Sequence, residues 1–199
     1  MTIQANGKLV TLAAFLKMDL GKVTRVRVEN NPGLTSLPDL PAATDVRIVN
    51  NPGLTALPDL SGATDVWIEN NPGLTALPDL SGATDVWIEN NPGLTALPDL
   101  SGATVVRIVN NPGLTALPDL SGATDVWIVN NPGLTALIDG GEDLRGYRFL
   151  GVPLRDGTWR ISAGCRWFTF DESRAHWRTG SQCRDLAEKI IAEVEARAK

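Results

Sequence analysis

The residues best suited to binding chemistry recur every 20 positions. At this spacing the sequence holds only arginine or tryptophan, at Arg27, Arg47, Trp67, Trp87, Arg107 and Trp127. These residue types are enriched among the few side chains that carry most of the energy of protein interfaces. Exposed aromatic surface also marks interaction sites more often than not. We therefore expect this row to bind a protein or peptide.

Carboxylates stand two positions before or after members of this row, at Asp65, Glu69, Asp85, Glu89 and Asp125. They can accept hydrogen bonds from arginine or lysine of a protein partner, or from sugar hydroxyls. A carbohydrate-binding repeat protein is thus a second hypothesis. A third is a structural or engineered scaffold without a dedicated partner, in which the tryptophans and arginines pack only on one another. Self-association through the tryptophans would unite the first and third hypotheses.

Catalytic and metal-binding patterns are weak. His176 is the single histidine, and no nucleophile motif surrounds it. Cys165, His176 and Cys183 would supply three zinc ligands, but a fourth ligand and a Cys-x-x-Cys pair are missing. Within the repeat the glycines stand singly at turn positions, and the sequence has no phosphate-cradling glycine loop. We expect no enzyme, no metal and no cofactor.

The row belongs to a repeat. The landmark Asn-Asn-Pro-Gly-Leu begins at Asn30 and returns every 20 residues up to Asn130, in six copies. In each copy a Val-x-Ile segment such as Val66–Ile68 alternates β-branched residues with other types, which predicts a short strand with those two side chains inward. Asn-Pro-Gly then predicts a turn. Since a single 20-residue coil cannot bury its own apolar face, we expect the copies to stack as a solenoid.

This pattern resembles the leucine-rich repeat family, and its Leu-Pro-x-Leu segment and short period resemble the bacterial subclass. The family pattern is met by Ala63, Val66, Ile68, Asn71 and Leu74, with Ala in place of the first Leu and one extra residue before Leu74. The resemblance implies a right-handed, curved solenoid with a parallel β-sheet on its concave face. The convex side is expected to be extended or 3₁₀-like, because 20 residues leave no room for a long helix.

The resemblance also implies an internal asparagine ladder, in which the amide side chains satisfy backbone groups that the turns leave unpaired. Its members would be Asn31, Asn51, Asn71, Asn91, Asn111 and Asn131. If Val and Ile point inward, the arginines, tryptophans and acids between them point outward on the same strands. Stacked strands stand about 4.8 Å apart, so the outward row would be about 24 Å long.

A solenoid needs a cap at each end. Apolar residues at helical spacing over residues 8–20, followed by Gly21, favour a helical cap within residues 1–21; an extended strand is the alternative. Residues 22–138 hold the six repeats, and residues 139–199 read as a small α+β cap. In that cap we expect strands at residues 147–150 and 158–161, joined by the turn Arg155-Asp156-Gly157. Asp171 would begin a short helix, and a stripe from Leu186 to Val194 predicts an amphipathic one.

The net negative charge of the chain disfavours some classes of binding partner. The chain has a net charge of −5 over 199 residues, and residues 1–138 carry seven Lys and Arg against thirteen Asp and Glu. This balance disfavours nucleic acid, because phosphates would be repelled. No apolar run approaches the roughly 20 residues that a membrane helix needs. With two cysteines and no pattern typical of a secretion signal, a cytoplasmic location is the default expectation.

Overall fold

The protein is a parallel β-solenoid with few helices, seen in a computed structural model that describes residues 2–154, 157–164 and 166–197. Each coil of 20 residues contributes one strand, and these strands lie side by side in register. The six are β3 (Arg25–Glu29), β4 (Asp45–Val49), β5 (Asp65–Glu69), β6 (Asp85–Glu89), β7 (Val105–Val109) and β8 (Asp125–Val129). Equivalent repeat positions therefore form straight columns across the sheet.

The interior consists of such columns of small aliphatic side chains. In β6, Val86 and Ile88 are buried, and Leu94, Leu100 and Ala103 of the return path close the same coil. Equivalent residues of the other coils belong to one continuous hydrophobic cluster. The strand alternation predicted from Val-x-Ile is thus the alternation seen. The return path carries turns but no regular helix or strand.

An asparagine column runs through this interior. Asn71 illustrates it: its Nδ2 donates to the carbonyl oxygens of Ile48 (3.0 Å) and Glu69 (2.8 Å), while its Oδ1 accepts from the Asn51 backbone N–H (3.1 Å). Asn51 to Asn111 are fully buried, and Asn131 is 8% exposed. Each amide ties its own coil to the preceding one.

The Asn-Pro-Gly turns bring successive coils into backbone contact. A Cβ added at Gly93 would lie 2.6 Å from the carbonyl oxygen of Leu74 and 2.9 Å from that of Pro72, so only glycine fits. The asparagine two residues before each proline has a positive φ, for example 53° at Asn90. Asparagine tolerates this left-handed conformation better than most residues.

The N-terminal cap differs from the predicted helix. It is a β-hairpin of β1 (Thr2–Ala5) and β2 (Lys8–Val10), followed by a four-residue helix α1 (Leu12–Phe15) and a 3₁₀ turn (Leu20–Lys22). Asn6 and Gly7 both have positive φ (49° and 79°), the geometry of a type I′ hairpin turn, which Asn-Gly strongly favours. Of the helix predicted over residues 8–20, only Leu12–Phe15 is α-helical, and the alternative, an extended strand, is found at Lys8–Val10. The turn signal outweighs an apolar periodicity in which Leu9 stays exposed.

The C-terminal module is α+β. Its strands are β9 (Ile138–Glu142), β10 (Arg148–Pro153), β11 (Trp159–Ala163) and β12 (Arg166–Phe168), and its helices are α2 (Phe170–His176) and α3 (Gln182–Arg197). The strands extend the solenoid sheet into one of twelve strands, in the order β2-β1-β3-β4-β5-β6-β7-β8-β12-β11-β10-β9. A second hydrophobic cluster lies between these strands and the helices.

The N-cap of α2 differs from the residue predicted from the sequence. Thr169, rather than Asp171, is the N-cap of α2: its hydroxyl accepts from the Glu172 N–H, and the Glu172 carboxylate accepts from the Thr169 N–H. Glutamate three residues after threonine completes a capping box, which Asp171 cannot do. In α3, Ile190 and Ile191 are buried as the stripe predicts. Most of the predicted turn (Arg155 and Asp156) and Cys165 lie outside the described residues.

Candidate binding face

The outward side of β3–β8 carries a stacked column of aromatic and guanidinium groups. The rings of Trp67 and Trp87 are parallel, with centroids 4.1 Å apart. The Arg47 guanidinium lies 4.1 Å from the Trp67 ring centroid, on the neighbouring strand. Arg107 lies between two indoles, 4.7 Å from Trp87 and 4.4 Å from Trp127. The column is continuous from Arg47 to Trp127 because every strand supplies one member in register.

Stacking on indoles explains why Arg47 and Arg107 make few hydrogen bonds. The Nε atoms of Arg27, Arg47 and Arg107 are buried without a hydrogen-bond partner in the described residues. A guanidinium laid flat on an indole face gains cation–π attraction, which partly replaces the lost hydrogen bonds. The column is thus held rigid by its own members.

Glutamates orient the two central indoles. The Nε1 of Trp67 donates to Glu69 Oε2, and that of Trp87 donates to Glu89 Oε2, each at 2.8 Å. A buried indole N–H needs an acceptor, and the residue two positions along the strand lies on the same side of the sheet. The indole edges and these carboxylates therefore form one ordered unit.

The acids at the other end of β5 and β6 lack a cationic partner among the described residues. Asp65 and Asp85 pair in register on adjacent strands. Within the described part of the chain, Asp65 accepts a hydrogen bond only from the Thr64 hydroxyl (2.8 Å), and Asp85 accepts a longer one from Thr84 (3.5 Å). Two in-register carboxylates repel one another, which favours a cation between them.

The two ends of the face contrast with its centre. At the N-terminal end, Arg25 contacts Asp45 at 2.6 Å, and Arg47 forms an ion pair with Glu29 at 3.5 Å that lacks hydrogen-bond geometry. Near the C-terminal end, Asp125 Oδ1 is buried without a hydrogen-bond partner in the described chain. Arg25, Glu29 and Asp45 were not among the predicted site residues, although their positions in the repeat would have identified them.

The face as a whole is acidic. Four arginines oppose seven carboxylates on the outward positions of β3–β8, a net charge of −3. A groove of about 400 Å³ runs along it, lined by residues that include Asp65, Trp67, Asp85 and Trp87. Besides the two indoles, the charged side chains of the lining are three aspartates and three arginines: Asp45, Asp65, Asp85, Arg27, Arg47 and Arg107. The guanidinium groups of Arg47 and Arg107 are stacked on the indoles, so the row of aspartates is the part of the groove that suits a cationic ligand.

A larger groove of about 860 Å³ lies at the turn edge of the solenoid. Its lining consists of asparagines and prolines only, from Asn30 to Asn130. The Asn50 amide donates to Asn30 Oδ1 at 3.0 Å within this lining. This groove is the larger of the two, but its lining carries no charged or aromatic side chain that could select a ligand. The candidate site is therefore the sheet face.

The remaining candidates for chemistry lie in the C-terminal module. His176 packs against Phe168 and Trp177, with ring centroids 5.0 and 5.4 Å away. Cys183 Sγ lies 3.7 Å from Asp143 Oδ2. Across the described ranges, no three His, Cys, Asp or Glu side chains cluster to hold a metal. The zinc hypothesis involving Cys165 is not addressed, because that residue lies outside these ranges.

Shifted pKa values in this module reflect structural contacts. Burial raises the pKa of Asp143, but hydrogen bonds from the Arg145 guanidinium and from two backbone N–H groups outweigh it and leave the pKa lowered. A hydrogen bond from Arg148 likewise lowers the pKa of Asp139. These carboxylates stay ionised, which makes them unsuited to donate a proton near neutral pH.

Within the described ranges, the structure contains no helix with the length and apolarity to cross a membrane. Comparisons with protein-family models, with curated proteins and with solved structures found no match to this chain. The structure itself shows a solenoid of stacked coils of about 20 residues.

Proposed function

We propose that this protein is a non-catalytic recognition scaffold of the leucine-rich repeat type, and that its outward sheet face binds an extended cationic segment of a partner protein. The observation that carries the proposal is the unpaired carboxylate pair Asp65 and Asp85 beside the Trp67–Trp87 stack. Lysine or arginine of a ligand would supply the missing cation there. The ligand's apolar stems would lie on the indole edges.

Support for a peptide over a sugar comes from the stacking. Carbohydrate binding commonly uses an open aromatic face, but both faces of Trp67 and Trp87 are covered by neighbours in the column. For these two central indoles, only the ring edges remain accessible to a ligand, beside the charged side chains of the groove. The leucine-rich repeat type is supported by the inward Val, Ile, Leu and Asn columns.

The test is a selection of peptides from a random displayed library on the full-length protein. We expect the selected peptides to be enriched in lysine and arginine. Their affinity should fall at least tenfold for the variant Asp65→Asn/Asp85→Asn. The control Asp171→Asn/Glu195→Gln makes the same change in net charge on exposed positions of the C-terminal helices and should bind normally.

Two results would overturn the proposal. One is a selected set without basic residues. The other is equal binding to both variants. Sedimentation at several protein concentrations tests a further outcome. Dimerisation that depends on Trp67 and Trp87 would show that the face binds a second copy of the chain and not a partner protein.

A further inference from the structure

The two ends of the solenoid are closed to different extents. At the N-terminal end, β1 pairs with β3 over four residues, from Thr2↔Glu29 to Ala5↔Val26. At the C-terminal end, β12 pairs with β8 at the single position Arg166↔Asp125. The Ser162 hydroxyl of β11 also donates to the Val126 carbonyl at 3.4 Å. Beyond Val126, no strand of the described chain pairs with the outer edge of β8.

This open edge interrupts the asparagine ladder. In the interior coils, the asparagine of the following coil donates its Nδ2 to a strand carbonyl, as Asn131 does to Ile108 (2.8 Å). The same asparagine accepts, through Oδ1, from the preceding ladder N–H, as Asn131 does from Asn111 (2.9 Å). In the last coil, no described residue donates to the Ile128 carbonyl, and none accepts from the Asn131 N–H.

The backbone N–H of Asn130, at the same end of the solenoid, also lacks a partner among the described residues. In the preceding coil, the Asn110 N–H donates to the Val129 carbonyl at 2.9 Å. The equivalent N–H of Asn130 has no acceptor among the residues described. Asn130 is exposed, so its N–H can bond to water, whereas Asn131 is only 8% exposed and its unpaired N–H is costly.

The unpaired groups line a cleft of about 830 Å³ between the last coil and the C-terminal module. Ile128, Asn130 and Asn131 lie on one wall, with Asp139 and Glu142 on the other. Trp127 is stacked by Arg107 on one face only and is 37% exposed. Its second face has no partner in the column, unlike those of Trp67 and Trp87.

We propose that this cleft binds an extended segment of a partner protein that joins the sheet beside β8 and carries an asparagine into the open ladder position. An asparagine amide offers both a donor for the Ile128 carbonyl and an acceptor for the Asn131 N–H, and it fills the same two roles in the preceding coil. The carbonyl two residues before that asparagine accepts from the Asn130 N–H, as Val129 does in this chain.

The chain's own repeat defines the rest of the motif. Four residues before the ladder asparagine stands the column residue, as Arg47 does before Asn51. An arginine there would stack on the open face of Trp127, as Arg107 does on the other. Three residues before the asparagine, a β-branched residue continues the buried column that ends at Ile128. The partner segment thus reads Arg-Ile-x-x-Asn.

The experiment uses a capped, fluorescein-labelled octapeptide with the sequence of residues 47–54, Arg-Ile-Val-Asn-Asn-Pro-Gly-Leu, titrated into the full-length protein. This peptide begins opposite Trp127 and so avoids the place that Arg166 holds opposite Asp125. We expect saturable binding. A control peptide with the last asparagine changed to aspartate keeps an acceptor but loses the donor, and should bind at least tenfold more weakly. In ¹⁵N spectra, the amide signals of Asn130 and Asn131 should shift and exchange more slowly with solvent.

The variant Asp65→Asn/Asp85→Asn should bind the octapeptide normally, so failure of the sheet-face proposal does not affect this one. Absence of binding, equal binding of the aspartate peptide, or shifts confined to β5 and β6 would overturn the inference. Concentration-dependent dimerisation that protects the Asn130 and Asn131 amides without peptide would overturn it in favour of a second copy of the chain.

Discussion

The inward and outward sides of the same six strands differ in what their repeats keep constant. Inward positions are occupied by Val, Ile and Asn in nearly every coil, whereas outward positions vary among Arg, Trp, Asp, Glu and Val. The inward side chains are buried and bonded from coil to coil. The contrast suggests that the inward side holds the coils together, while the outward side is free to differ for recognition.

The largest effect is expected from the ladder. Asn91→Ala removes bonds to the Ile68 and Glu89 carbonyls and to the Asn71 N–H. Because buried unsatisfied groups each cost about 1–3 kcal/mol, we expect a loss of about 3 kcal/mol or more in unfolding free energy. Urea denaturation measures it. The neighbouring Asn90→Gly, where φ is positive, should cost far less; equal losses would refute the contrast.

The turn glycines give the next largest effect. Gly93→Ala places a Cβ against two carbonyl oxygens of the preceding coil, whereas Gly33→Ala meets nothing within 4 Å. Overpacking of this kind costs about 1–3 kcal/mol, and a clash with backbone is poorly relieved. Thermal denaturation should separate the two variants clearly. Similar melting temperatures would show that the coils are not in close backbone contact.

The features of this fold were not equally predictable from the sequence. The 20-residue period and the Val-x-Ile alternation predicted the stacked coils, one strand in each coil and the outward column, because every copy repeats the same signal. The N-terminal hairpin was not predicted, although Asn6-Gly7 is a strong hairpin-turn signal. The single bridge between β12 and β8 was beyond sequence reasoning, because non-repeated strands carry no register signal.

An outward substitution should matter less to stability. Trp87→Ala removes one ring stack, one cation–π contact and one hydrogen bond. Aromatic pairs contribute about 0.5–1.5 kcal/mol beyond their buried area, so we expect a loss of about 1–2 kcal/mol without a change in circular dichroism. A loss as large as that of Asn91→Ala would mean that the column is part of the core.

The smallest effect concerns a surface charge far from the sheet. A hydrogen bond from Arg174 lowers the pKa of Glu188 below its ordinary 4.5. A carboxylate with a lowered folded-state pKa stabilises the fold above its unfolded pKa, and this contribution is lost as the pH falls through the folded-state value. The melting-temperature difference between wild type and Glu188→Gln should therefore be small at neutral pH and vanish in acid. A difference that grows in acid would contradict the assignment.

The central claim is that the outward face selects its ligand by charge beside the tryptophan stack. The most direct measurement is a fluorescence-anisotropy titration of an arginine-rich peptide and its glutamate counterpart against the charge-reversal variant Asp65→Lys/Asp85→Lys. Asp171→Lys/Glu195→Lys, which has the same net charge, is the control. The account predicts that the first variant loses the basic peptide and gains the acidic one, while the control keeps the wild-type preference. Identical behaviour of the two variants would contradict it.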